Sequence, residues 1–228
     1  MLNFDQFQVL TFDCYGTLID WRTGILGVLR PLLIEHDIAV GDDQILETYS
    51  EIEAEIQAGP YMPYASVLLR LTAQLGTRFG FSPNASELDC LIKSFGDWPP
   101  FDDTVDALKV LKTKYRLGII SNTDDDLFAL TNKRLEVEFD YIVTAARVGA
   151  YKPDHRMFHA AFEEIGSPLD KILHVAQSLF HDHVPGKKLG LSTVWINRNK
   201  LIPGRATEKV TPDAEFPDLA SLVKAVGL

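Results

Sequence analysis

The stretch "VLTFDCYGTLID", residues 9–20, is an apolar run that ends on Asp13 and then breaks into Cys-Tyr-Gly-Thr. A carboxylate at the end of a buried strand is costly to desolvate, so Asp13 is either held by partners or used for chemistry. Further polar side chains follow other apolar runs: Ser121 and Asn122 after "YRLGII", Lys152 in "YKP", and Gln177 and Asp182 in "HVAQSLFHD". Two carboxylates, an ammonium, a hydroxyl and two amides form a set suited to nucleophilic or acid–base work. Cys14 is not the expected nucleophile: on a strand it points away from its neighbours, which suits buried packing.

The elements that must position these residues alternate after residue 98. Strands are predicted over 115–121, 139–145, 172–177 and 192–197. The helices between them include one opened by Thr123 and one entered through Pro153 and closed by Gly166. A short helix over 181–190 ends at Gly190. Strands separated by helices of 10–15 residues mean βαβ crossovers and a parallel sheet. Residues 20–97 differ, with four helical stretches ("TGILGVLRPLLIEHDI", "DDQILETYSEIEAEIQAG", "YASVLLRLTAQLGTRFG", "ASELDCLIKSF") and no convincing strand. The expected fold is therefore α/β: a Rossmann-like doubly wound core from residues 1–19 and 98–228, with a helical cap, 20–97, inserted after the first strand. "WPPF" reads as the return hinge, residues 199–217 as a loop over the sheet edge, and 218–226 as a last helix. In such sheets ligands bind beyond the carboxyl ends of the strands. Asp13, Ser121 with Asn122, Lys152, and Gln177 with Asp182 all fall there.

Composition narrows the class. The 228 residues are 46% hydrophobic and 24% charged, ordinary for a globular protein. No apolar run approaches the roughly 20 residues of a membrane helix, and the N-terminus has no export signal, so a cytoplasmic location is expected. A net charge of −10 without clustered Lys and Arg argues against nucleic acid. Two cysteines far apart, with no metal-like spacing, suit a reducing compartment. The expected partner is a small anionic molecule, with a homodimer as the one assembly considered.

Taken together, "DCYGT", "SNT", "YKP" and "HVAQSLFHD" resemble the haloacid dehalogenase superfamily of hydrolases over essentially the whole chain. The resemblance implies that Asp13 attacks the substrate and Ser121 binds its anionic group. Lys152 steadies the Asp13 carboxylate, and Asp182 serves the second half-reaction. The insert is then a cap that closes over the site. Bland readings stand beside these: Ser121 as a helix cap, Asn122 as a turn residue rather than a group orienting a halide, Asp182 as a first-turn acid. His181 and His183 are alternative bases or surface groups. Tyr61, Met62, Tyr64 and Trp21 form either a substrate slot or cap core.

Superfamily phosphatases carry a second Asp two positions after the nucleophile, and Tyr15 stands there. Expelling an alkoxide needs a proton donor, whereas a halide leaves unassisted. Gln177 replaces an acid of the phosphatase metal site; a phosphoryl group of −1.5 to −2 charge needs Mg²⁺ more than a singly charged haloacid does. The "DxYGT" form thus resembles 2-haloacid dehalogenases, with Tyr15, Ser121, Asn122 and Gln177 expected around the substrate and no metal or other cofactor. The Arg that family dehalogenases place early in the cap is missing from "LETYSEIEAEIQ", and Tyr49 or Gln57 is expected in its place. The expected reaction turns a 2-haloacid into a 2-hydroxy acid through an aspartyl ester. The alternatives are a small-metabolite phosphatase with an atypical site and an inactive relative that binds a small anion or a partner protein.

Overall fold

In the structure of the chain, a computed structural model, residues 2–198 and 210–228 are described. The apolar runs form strands β1 (Val9–Phe12), β2 (Arg116–Ser121), β3 (Tyr141–Thr144), β4 (Ile172–Ala176) and β5 (Ser192–Ile196). Their interiors are almost continuously buried, as expected of parallel strands covered on both faces. A sixth, β6 (Ala214–Phe216), completes a parallel sheet of order β3-β2-β1-β4-β5-β6. The sequence reading placed 199–217 in a loop. Positions 199–209 lie outside the described residues, but 214–216 pair with β5 at the sheet edge.

Helices cover both faces. On one, Val9, Ile120, Val143 and Ile172 pack with Met157, Phe158 and Ile165 of α9 (His155–Ile165). On the other, Leu10 and Phe12 join Leu108 and Leu111 of α6 (Thr104–Lys112) and Leu222 of α11 (Leu219–Val226). The alternation of Val9 and Leu10 between the two clusters is the two-residue period of a strand. Two further helices, α7 (Asp125–Leu135) and α8 (Ala145–Val148), follow β2 and β3.

Between β1 and α6 the described chain is helical: α1 (Trp21–Glu35), α2 (Asp42–Gln57), α3 (Tyr64–Phe79), α4 (Ala85–Leu88) and α5 (Cys90–Ser94), then a 3₁₀ turn over Phe95–Asp97. The fourth predicted helix is thus two short ones, because Asp89 leaves helical geometry (φ −100°, ψ 11°). None of the described helices is long and apolar enough to cross a membrane.

Several contacts fasten the helical insert to the core. The chain leaves and returns through paired backbone, Asp20 N donating to the Pro99 carbonyl at 2.8 Å and Phe101 N to that of Leu18 at 3.0 Å. Trp98 lies flat against Gly24, where a Cβ would stand 2.3 Å from its ring. The third contact corrects a sequence reading. Asp124, not Thr123, occupies the N-cap position of α7, yet its side chain does not cap that helix. Its Oδ1 and Oδ2 instead accept from the backbone N–H groups of Tyr64 and Ala65, both at 2.8 Å. Pro63 offers α3 no side-chain cap, so a core acid supplies it across the boundary. The Tyr151 hydroxyl adds a bond to the Met62 carbonyl at 2.8 Å.

Replacing Asp124 with Ala should cost about 1 kcal/mol and loosen the insert specifically. Hydrogen exchange should quicken in the first turn of α3 while β1 and β4 remain protected; equal loosening of both would show that Asp124 does not act at this boundary.

Candidate active site

Asp13 follows β1 at the carboxyl edge of the sheet, and the turn after it folds straight back. The Cys14 carbonyl accepts from the N–H groups of Thr17, Leu18 and Ile19, and Gly16 adopts φ +98°, a conformation that favours glycine. This return brings Thr17 Oγ1 to donate to Asp13 Oδ2 at 2.7 Å, and Thr17 in turn accepts from Gln177 N at 2.9 Å. The other oxygen, Oδ1, accepts from Lys152 Nζ at 2.8 Å.

Lys152 is 2% exposed and gives its ammonium to three acceptors, each at 2.8 Å: Asp13 Oδ1, Asp182 Oδ1 and the Ile120 carbonyl. Burial alone would lower its pKa, but the charges of Asp13 and Asp182 outweigh it, so the pKa is raised and the ammonium persists. Asn122 fixes the Lys152 backbone, accepting from its N–H at 2.6 Å and donating to its carbonyl at 3.1 Å.

Asp182 is fully buried, in a π-helical turn over Leu179–His183 that leads into α10 (Val184–Lys188). Burial would raise its pKa, but Lys152 and His174 hold it well below the carboxylate range. His174 on β4 reaches Asp182 Oδ1 through Nε2 at 3.0 Å and Thr11 Oγ1 through Nδ1 at 2.9 Å. A carboxylate needs a donor, so Nε2 carries a proton, and Nδ1 pairs with the threonine hydroxyl. Asp182 Oδ2 has no partner among the described residues.

These groups form the floor of a cavity of about 260 Å³. Asp13, Tyr15, Asn122, Lys152, Gln177, Ser178, His181 and Asp182 line it from the core, and Trp21, Tyr49, Ser50, Glu53, Gln57 and Tyr64 from the insert. Its size suits a small molecule, below the usual range for drug-sized ligands.

Asp13, Lys152, Asp182, Asn122 and Gln177 therefore converge as the sequence suggested. Tyr15 also reaches the cavity, but its hydroxyl is bonded to Thr131 Oγ1 at 2.9 Å, so it offers its ring rather than a proton. Ser121 lies apart: its hydroxyl is buried without a partner among the described residues, and it is not in the lining. The flanking histidines are not surface groups. His181 lines the cavity, paired with Ser178 Oγ at 3.1 Å, and burial lowers its pKa. His183 is buried with Nε2 on the Ala176 carbonyl, and burial pushes its pKa down to about 4. Of the "GPYMPY" bend only Tyr64 reaches the cavity; Tyr61 packs at a tilt against the Tyr151 ring. Tyr49 and Gln57 are both in the lining, with Glu53 between them.

Sequence reasoning missed Thr17, His174, Glu53 and Ser178. Thr17 was within the quoted motif, and Glu53 within the cap segment searched for an arginine. His174 gave no signal, since a His inside a strand reads as one more buried residue. Among the described residues, no three or more His, Cys, Asp or Glu converge in a group able to hold a metal ion. The ammonium of Lys152 sits between the two floor carboxylates.

The family model described as haloacid dehalogenase-like hydrolase matches residues 7–182. An (S)-2-haloacid dehalogenase of Pseudomonas fluorescens is 28% identical over 202 residues, covering 84% of this chain and 85% of its own. Another, of Pseudomonas sp. (strain YL), is 28% identical over 228 residues, covering 96% and 94%. Among solved structures, the L-2-haloacid dehalogenase of Xanthobacter autotrophicus with chloropropionic acid covalently bound superposes with a TM-score of 0.80 at 22% identity, covering 97% of this chain and 98% of that one. The sheet order, the strand-end aspartate with its lysine, and a match spanning most of the chain lead to one conclusion: the chain belongs to the haloacid dehalogenase-like hydrolases.

Proposed function

We propose that this chain hydrolyses the carbon–halogen bond of a small 2-haloacid to give the 2-hydroxy acid. The observation that carries the reading is the Asp13 carboxylate, held at both oxygens by Thr17 and Lys152 at the floor of a small cavity. A carboxylate so fixed is an oriented nucleophile, and rigid positioning of reacting atoms removes much of the entropic barrier. The relatives' activities and the covalent chloropropionic acid in a structural neighbour support the same route.

In the first step Asp13 displaces halide from C2 by in-line attack, forming an ester and inverting the carbon. Halide is too weak a base to need a proton, and the hydroxyl of Tyr15, where phosphatases keep their acid, is turned to Thr131. In the second step water attacks the ester carbonyl. Asp182, its Oδ1 held by Lys152 and His174, is the first candidate to take the proton of that water. His181, neutral at pH 7 because burial lowers its pKa, is the second candidate for the proton. The substrate carboxylate is held by neutral donors among Asn122, Gln177 and Ser178, and the insert acts as a cap that admits substrate and then excludes water. The residues fit a metal-free reaction: Lys152 supplies the positive charge between Asp13 and Asp182.

Asp13→Asn should lower turnover by more than about 10³-fold with the fold retained by circular dichroism; substantial activity, with no reversion to Asp detected by mass, would remove Asp13 from the mechanism. Chelation should leave halide release unchanged, whereas loss of activity restored by Mg²⁺ would favour a phosphatase-like site.

Under single turnover in ¹⁸O-labelled water, the label should enter the peptide containing Asp13 and stay out of the hydroxy acid. Labelled product on the first turnover would overturn the covalent route. Asp182→Asn should let an Asp13 adduct accumulate in the intact-mass spectrum; its absence there and its presence in a His181→Gln variant would move the second step to His181.

A further inference from the structure

The insert presents one face of α2 to the cavity: Tyr49, Ser50, Glu53, Ala54 and Gln57, at the spacing of neighbours on a helix. Glu53 is the carboxyl of that face, half-buried and lining the cavity whose floor holds Asp13. Its Oε1 accepts from the Tyr64 hydroxyl, which lies 3.1 Å from that of Tyr49. The two tyrosines thus fix the carboxyl in place, and burial pushes its pKa up from the ordinary carboxylate range. A carboxylate held away from water in this way is stabilised by any ligand that brings it a donor.

The balance of charge in the cavity sharpens the point. Three acids line it, Asp13, Glu53 and Asp182, against one Lys or Arg among the described residues, Lys152. Lys152 has already spent its three ammonium protons on Asp13, Asp182 and the Ile120 carbonyl, so it has none for a ligand. His181 is held neutral by burial. One substrate carboxylate can be met by amide and hydroxyl donors; a second would face Glu53 with no cation to offset it.

Building on the haloacid reading, we propose that Glu53 is a specificity-determining residue that selects 2-haloacids bearing a hydrogen-bond donor beyond C2, an amine above all and a hydroxyl next, and rejects dianionic ones. Glu53 accepts from that donor opposite the C–halogen bond, so the substrate spans the cavity between the insert and Asp13.

The test compares halide release from 2-chloro-4-aminobutyrate, 2-chlorobutyrate and 2-chlorosuccinate by the full-length protein and its Glu53→Gln variant. The native protein should show kcat/KM about tenfold higher for the amino acid than for the butyrate, and about tenfold lower for the succinate. In Glu53→Gln both differences should shrink below about threefold. Equal preferences in the two proteins, or a native preference for 2-chlorosuccinate, would overturn the proposal. A second readout needs no chemistry. Quenching of the cavity tryptophans Trp21 and Trp98 by 4-aminobutyrate, butyrate and succinate should show the same order, lost in Glu53→Gln. Selective binding without halide release from any substrate would leave Glu53's role standing and overturn the haloacid reading. Halide release with unselective binding would do the reverse.

Discussion

One ammonium organises this molecule's carboxyl edge. Two carboxylates within reach of each other in a buried site repel, and each costs several kcal/mol to desolvate. Lys152 makes the arrangement stable by standing 2.8 Å from both, and removing it would leave two uncompensated buried charges. Everything near it serves to keep it there. Asn122 clamps its backbone, the Ile120 carbonyl takes its third proton, and the register of β1 against β2 and β4 sets Asp13 and Ala176 at the same level of the sheet.

A second line of polar groups runs beneath the first. Thr11, His174 and Asp182 are connected from the middle of β1 through β4 to the π-helical turn, with Phe158 of α9 packed edge-on against the His174 ring. Buried polar chains of this kind are stable only when each member is satisfied, and they then fix orientation strongly. Asp182 is thereby restrained from two sides at one oxygen, which leaves the other directed by geometry rather than by chance contact with solvent.

The sequence made the strands and their ends legible because parallel strands buried on both faces read as continuous apolar runs, and a polar residue that terminates such a run stands out. Asp13 was found that way, and Lys152 and Asp182, beyond the ends of β3 and β4, through the motifs around them. Thr17 and His174 were not, since their significance lies in partners 4 to 163 positions away that only the turns and the strand register bring close. Glu53 looked like any solvated helix acid, and Asp124 like one more acid in a helix's first turn; what distinguishes both is which lobe they face. Strand β6 escaped because three residues are too short a run for their alternation to stand out. The location of Ser121 at the end of β2 was foreseen but its full burial was not.

The paired backbone at the crossing, Asp20 with Pro99 and Phe101 with Leu18, has a consequence for the fold as a platform. The insert begins and ends at two points about one strand spacing apart, roughly 5 Å. From the sheet's side, the whole insert from Trp21 to Asp97 occupies the footprint of a single hairpin turn. An accessory module attached through so narrow a neck can be lengthened, shortened or exchanged without disturbing strand register or the floor chemistry. The core thus keeps its reaction while the roof above it is free to change what it admits.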